Sequence, residues 1–329
     1  MRRRLAIILL GGTTAAMLLT VVALAQQLNR IQLEHSNQME IIQEGDKLVT
    51  YVVGDVVFQT ETGTILCDTA IWRRGENVHL KGRVRIDDRD FKLLADSVLY
   101  DINTEVAISR GDTVEVWSYT DSMYAVGPYA YFDNERQYTF MDQRPLVILN
   151  HEDTLNEVRI RGDTVEHDGQ TEYAFAVGDV EINSREMTST SDTAEADLAT
   201  NTITLRGNPV VTRGRSTISG GLGRIFYSDQ QLDSIDVIDS ANGEFVEAVD
   251  TTETWFDRSV LSGENLKLYF ENGELSEVIC WTQAYSWYYP TTRGAREFHE
   301  NAVSGDTIRF EIENNELQTV TVIGGAVGT

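Results

Sequence analysis

The stretch "GDVVFQTETGTILCDTAIWRRGENVHLKGRVRIDDRDFKLLADSVLY", Gly54 to Tyr100, is laid out on a ruler. Gly54 opens GDVVF, and Asp68 follows fourteen residues later in CDTAIW. Gly82 opens GRVRI, and Asp96 follows fourteen residues later in ADSVLY. Between these marks apolar and polar residues alternate, which is the period of strands and not of helices. Val56 and Phe58 share one face, as do Val84 with Ile86 and Val98 with Tyr100, while Arg83 and Arg85 face away.

Working outward, a third copy starts at Gly178 (GDVEI), with Asp192 fourteen residues on and Val180 and Ile182 as its apolar row. The copies close with RRGENVHLKG, DINTEVAISRG and LATNTITLRG, so the period is 28 from Gly54 to Gly82 and 29 from Gly82 to Gly111 and from Gly178 to Gly207. Looser copies start at Gly111, Gly127, Gly162 and Gly207. Such a period is about three short strands, a supersecondary unit that buries its apolar face only by stacking on its neighbours. The recurring Gly is read as the passage from one strand to the next, where positive φ is needed, and the Asp and Asn as turn residues.

Near the end the pattern repeats at a longer interval. "GENLKLYFENGELSEV" from Gly263 and "GDTIRFEIENNELQTV" from Gly305 align without a gap, 42 residues apart. Their inner rows are Leu266, Leu268 and Phe270 against Ile308, Phe310 and Ile312. The excess over the basic period is read as an excursion carrying the aromatic run "YSWYYPTTRGAREF". Trp281, Tyr285, Trp287, Tyr288 and Tyr289 there suit either a strand pair covering the end of a sheet or a contact surface for a partner or headgroup.

The first 25 residues read as an export signal: Arg2 to Arg4 are basic, Leu5 to Leu10 and Ala15 to Ala23 are apolar, and Ala23-Leu24-Ala25 is a small-x-small cleavage site. Leu5 to Ala25 also has the length of an uncleaved membrane anchor. Either reading sends the bulk of the chain outside the cytoplasm, free or tethered to the inner membrane by residues 5–25. Residues 26–45, the one stretch with any helical spacing, are read as a loosely ordered lead-in. Residues 46–160 and 161–329 are expected as two consecutive parts of one β structure.

The chain holds 27 Lys and Arg against 52 Asp and Glu, a net charge of −25 that becomes −28 once the signal's three arginines are removed. That balance excludes nucleic acid as a partner, which needs a basic footprint. Cys67 and Cys280 make neither a disulfide framework nor a metal site and are read as small buried hydrophobes, with a single bridge as the alternative. The five histidines form no HxxH or HExxH, no GxSxG is present, and GGLG at 220–223 lacks a following helix. The Asp ladder lacks the Gly-Gly-x-Gly-x-Asp signature of calcium-binding rolls. No catalytic residue, metal or cofactor is expected.

The recurring G-[DR]-V-x-[IF] with [CSA]-D-[ST]-[AV], at Gly54 to Gly111 and Gly178 to Gly207, resembles the OstA-like family. That family includes the periplasmic bridge proteins of lipopolysaccharide transport and the N-terminal domain of the outer-membrane lipopolysaccharide assembly protein. The resemblance covers about residues 45–329, with 111–177 the weakest part. It implies an all-β fold, a twisted V-shaped jellyroll of stacked antiparallel strands in two facing sheets, whose slit holds acyl chains and whose edge strands join modules end to end. The partners implied are lipopolysaccharide or a related lipid, other transport components through edge strands, and further copies of the chain head to tail. This chain is about twice as long as the short bridge proteins and lacks the basic tail some of them carry.

The inner rows named above (Val56, Phe58, Val84, Ile86, Val98, Tyr100, Val180, Ile182, Leu266, Leu268, Phe270, Ile308, Phe310 and Ile312) are the candidate lipid-groove residues. The competing readings are a structural or adhesive β-repeat protein, in which the same rows fill a closed core, and an exported hydrolase on a β scaffold. The last strand, LQTVTVIGGAVGT, carries no charge after Glu316 and is expected to be an edge open to a partner.

Overall fold

In a computed structural model the chain is described over residues 31–119, 122–153, 157–228, 231–248, 256–289, 300–313 and 316–329. The export signal lies outside the described residues. Among the described residues there is no helix. The chain divides into two compact units between Gly178 and Asp179.

The first unit begins with β1 (Gln32–His35), β2 (Gln38–Glu44), β3 (Lys47–Gln59), β4 (Gly63–Arg73), β5 (Asn77–Asp88), β6 (Phe91–Asp101), β7 (Val106–Ser118) and β8 (Met123–Asp133). It continues through β9 (Tyr138–Asp142), β10 (Leu146–Leu149), β11 (Val158–Arg161) and β12 (Thr164–Asp168) into β13 (Tyr173–Asn183), within which the division falls. From β2 to β9 each strand pairs antiparallel with the next. The lead-in is therefore sheet: β1 and β2 both pair with β3, at its far and near halves.

The ruler marks something other than turns. The register slips once in each ladder, between Val53 and Val56, Leu66 and Thr69, Lys81 and Val84, Leu94 and Ser97, and Arg110 and Val114. The slips bracket Gly54, Asp68, Gly82, Asp96 and Gly111, all in mid-strand. Each of these five positions is thus at a β-bulge, and the period of 28 is two long strands, each bent into two short arms. At Gly82 the bend needs φ +72° and the next residue, Arg83, φ +46°. The opposing Asp68 packs directly on the glycine, and its carboxylate holds the Arg83 guanidinium. Gly178 repeats the arrangement at φ +81°, where its carbonyl accepts the Asp163 N–H at 3.0 Å.

Because the bulges line up across the strands, the arms on either side form two half-sheets joined along one crest. Inner residues of both arms meet in one cluster: Val52 with Val56, Ala70 with Ile65, Leu80 with Val84, and Tyr100 with Leu93. Alternation sends these inward and the polar residues outward; the parity of the inward row changes at the Asp bulges, between Cys67 and Ala70 and between Ala95 and Val98, and is kept across Gly54 and Gly82.

The second unit holds β14 (Thr188–Asp197), β15 (Thr202–Arg206), β16 (Val210–Arg213), β17 (Ser216–Ser219), β18 (Leu222–Ser228) and β19 (Gln231–Ala248). It ends with β20 (Phe256–Glu271), β21 (Glu274–Tyr289), β22 (Asn301–Glu313), β23 (Glu316–Ile323) and β24 (Val327–Gly328). The same bent-strand rule applies: β19 to β22 pair in sequence, with slips between Ile238 and Ala241, Ser262 and Asn265, and Trp281 and Ala284. Gly263 and Gly305 lie at such bends in β20 and β22. The run Tyr285–Tyr289 is no excursion. It is the second arm of β21, laddered to β20 on one side and to β22 on the other. Residues 290–299 of the expected excursion lie outside the described residues.

Candidate functional site

In the first unit the two half-sheets part at the N-terminal end and leave a cavity of about 110 Å³. Ile31, Leu33, Phe58 and Ile65 line one wall. Val52, Ala70, Val78, Leu80 and Val98 line the other, with Met39 and Trp72 at the mouth, where they are 53 % and 41 % exposed. Ile65 and Val98 form the floor and are fully buried. Three lining residues have polar atoms: Thr50, Tyr100 and, at the mouth, Trp72 with its indole N–H. Burial pushes the Tyr100 phenol up to about 12, so it stays neutral at physiological pH. The cavity wall carries no charged side chain.

Away from the cavity the inner rows pack on one another. Phe91, Leu93, Val116, Met123, Phe132 and Met141 are buried and belong to one continuous cluster with the cavity floor. The structure thus sorts the candidate groove residues. Phe58, Val98 and Tyr100 line the cavity. Val56, Val84 and Ile86 are buried in the adjoining cluster. In the second unit Val180, Leu266, Leu268, Phe270 and Ile308 are buried, whereas Ile182, Phe310 and Ile312 are half-buried. Cys67 and Cys280 are free and buried, and burial pushes each thiol up to about 11, which leaves it protonated and inert.

Sequence reasoning missed the upper wall. Ala70, Trp72, Val78 and Leu80 lie one bulge away from the rows that were read, and the parity change at Asp68 hides Ala70 and Trp72 from a single alternating register. Leu33 and Met39 were missed because residues 26–45 were not read as strand.

Residues 28–124 match the model of the OstA-like protein family. The chain carries an OstA-like domain. It runs from β1 into β8 and contains every residue of the cavity wall. No curated protein matches the chain. Among solved structures, the chain is similar to LptH of Pseudomonas aeruginosa, described as the LptA-homologous periplasmic component of the conserved lipopolysaccharide transport device. The identity is 18 %, over 42 % of this chain and 82 % of that one, with a TM-score of 0.33.

Proposed function

We propose that this protein works in the cell envelope as a carrier that shields acyl chains of lipopolysaccharide, or of a closely related lipid, in the cavity between β1 and β6. The observation that carries the reading is a charge-free apolar cavity lying wholly inside the OstA-like domain. Each methylene moved there from water is worth about 0.8 kcal/mol, so a run of about four supplies about 3 kcal/mol without any polar anchor. Lack of an anchor lets a chain slide instead of locking. The periplasm belongs to the same reading, supported by the export signal read in residues 1–25 and by the OstA-like domain.

Transfer onward would use the sheet edges. In β2 every residue is exposed, including Met39, Ile41 and Ile42. At the other terminus Leu317, Val320, Ile323 and Val327 are exposed at 43 % or more. Apolar edges of this kind accept a further strand, which suits other transport components or a second copy head to tail.

The buried cluster that adjoins the cavity favours a second reading, a structural β-repeat protein with no lipid ligand. A photo-crosslinking residue separates the two. Placed at Phe58 in cells, with Arg85 on the outer face as control, it should give lipopolysaccharide adducts at Phe58 alone. Equal adduct at both positions would leave the structural reading standing.

A further inference from the structure

The outer face of the long arms in the second unit carries a row of rings. Glu244, Val260, Trp287 and Ala302 lie side by side across β19, β20, β21 and β22. Arg258 lies beside Tyr289 in the next row, and Ser262, Tyr285 and Ser304 make the row on the other side. The opposite face is the packed one: Leu261, Ala284 and Ser286 are buried. Trp287 stacks on Tyr289, centroids 4.6 Å apart, and meets Tyr285 edge-on at 6.4 Å. Its flanking neighbours Val260 and Ala302 are small, so the rings rise above the sheet.

Twice in this unit an outer ring is covered in one way. Arg258 pairs with Glu244 at 2.7 Å and lies over the Tyr289 ring at 6.0 Å. Lys267 pairs with Asp236 at 2.9 Å and lies over the Tyr269 ring at 5.0 Å. Each group is a carboxylate, a cation and a ring face, in which the cation satisfies both charge and quadrupole. Glu300 brings a carboxylate to a third ring, accepting a hydrogen bond from Trp287 Nε1 at 3.2 Å. Glu300 is exposed, and among the described residues no cation pairs with it or lies over Trp287 or Tyr285. On a chain of net charge −25 this carboxylate and these electron-rich faces complement positive charge.

We infer that Trp287, Tyr285 and Glu300 receive an arginine or lysine side chain from a basic segment of a partner protein. The surface lies outside residues 28–124, in a different unit from the lipid cavity, so it stands whether or not lipid binds there.

The test is fluorescence anisotropy with a labelled peptide of repeated Gly-Ser-Arg, and its Gly-Ser-Gln counterpart, added to the mature protein at physiological salt. The arginine peptide should bind and the glutamine peptide should not. Trp287→Ala and Glu300→Gln should each weaken binding about threefold or more, from the lost ring and charge contacts. Trp287→Phe, which keeps a ring, should retain most of it. Because these side chains are on the outer face, the melting temperature of each variant reports whether the fold is intact. Equal affinity in wild type, Trp287→Ala and Glu300→Gln would mean generic attraction to an acidic surface and would overturn the inference. So would absence of binding until Arg293 and Arg296 are both replaced by Ala, which would assign the cation to the chain itself. Binding of neutral chitohexaose in place of the peptide, lost in Trp287→Ala, would replace the basic partner with a glycan.

Discussion

Replacing Gly82 with Ala tests the crest on which the first unit is bent. Two costs add there. A residue with a Cβ held at φ +72° loses about 1–2 kcal/mol to left-handed backbone strain. The new Cβ would also stand 2.8 Å from both Cβ and Cγ of Asp68, on a paired strand that cannot retreat without opening the ladder. Overpacking of that kind costs about 1–3 kcal/mol. Gly75 supplies the control. It has φ +77°, yet nothing lies within 4 Å of a Cβ built on it. Gly75→Ala should therefore lose only about 1–2 kcal/mol, and Gly82→Ala about 2–5 kcal/mol. Urea unfolding of the two variants, followed by intrinsic fluorescence, measures the difference as a shift in midpoint. Adding Asp68→Gly to Gly82→Ala should return part of the loss, since the obstructing side chain is gone. If the two single variants lose the same stability, and Asp68→Gly restores nothing, the bulge is not a lock between Gly and Asp, and the account of the bent strands is wrong.

Two further outcomes are expected. His167 is 7 % exposed with neither ring nitrogen partnered, and burial holds its pKa below the ordinary 6.5. The unfolded chain therefore takes up the proton first as pH falls through about 6.5, so His167 costs stability progressively from there toward its folded pKa and nothing above. His167→Leu should flatten the fall in melting temperature between about pH 7 and pH 5.5, and a variant with an unchanged pH profile would refute this. Ile41→Lys in β2, or Val320→Lys in β23, should abolish concentration-dependent self-association in sedimentation while changing stability by less than about 0.5 kcal/mol, since both positions are exposed edge sites. Undiminished association in both variants would remove the edges from the assembly.

Alternation alone made the strands and the direction of most side chains legible. Val56, Val84, Ile86, Val98, Val180, Leu266, Leu268 and Ile308 were all read as facing in, and all are buried. What alternation does not tell is whether a Gly with positive φ ends a strand or bends it. The real hairpin between β6 and β7 is made at Asp101, whose carboxylate accepts the Asn103 and Thr104 N–H groups, and it resembles the ruler's Asp residues in composition. The edge strand β2 was illegible for a different reason. Both its faces meet water, so burial imposes no alternation on QMEIIQE. The division at Gly178 falls inside a strand and leaves no Pro- or Gly-rich linker to read. The cavity was half legible, since its lower wall keeps one register while Ala70 and Trp72 lie past the parity change at Asp68.

The crest also constrains how such a chain can change length. A single residue gained or lost within an arm would turn the rest of that arm inside out and move its bulge out of line with its neighbours. Gain or loss of one strand alone would reverse chain direction for everything that follows. Only a whole hairpin, such as the 29 residues separating Gly82 from Gly111, preserves inward parity, strand direction and the line of bends together. The fold is therefore open to growth in one dimension and in one fixed quantum, and an apolar interior of any length can be reached by copying a single sentence.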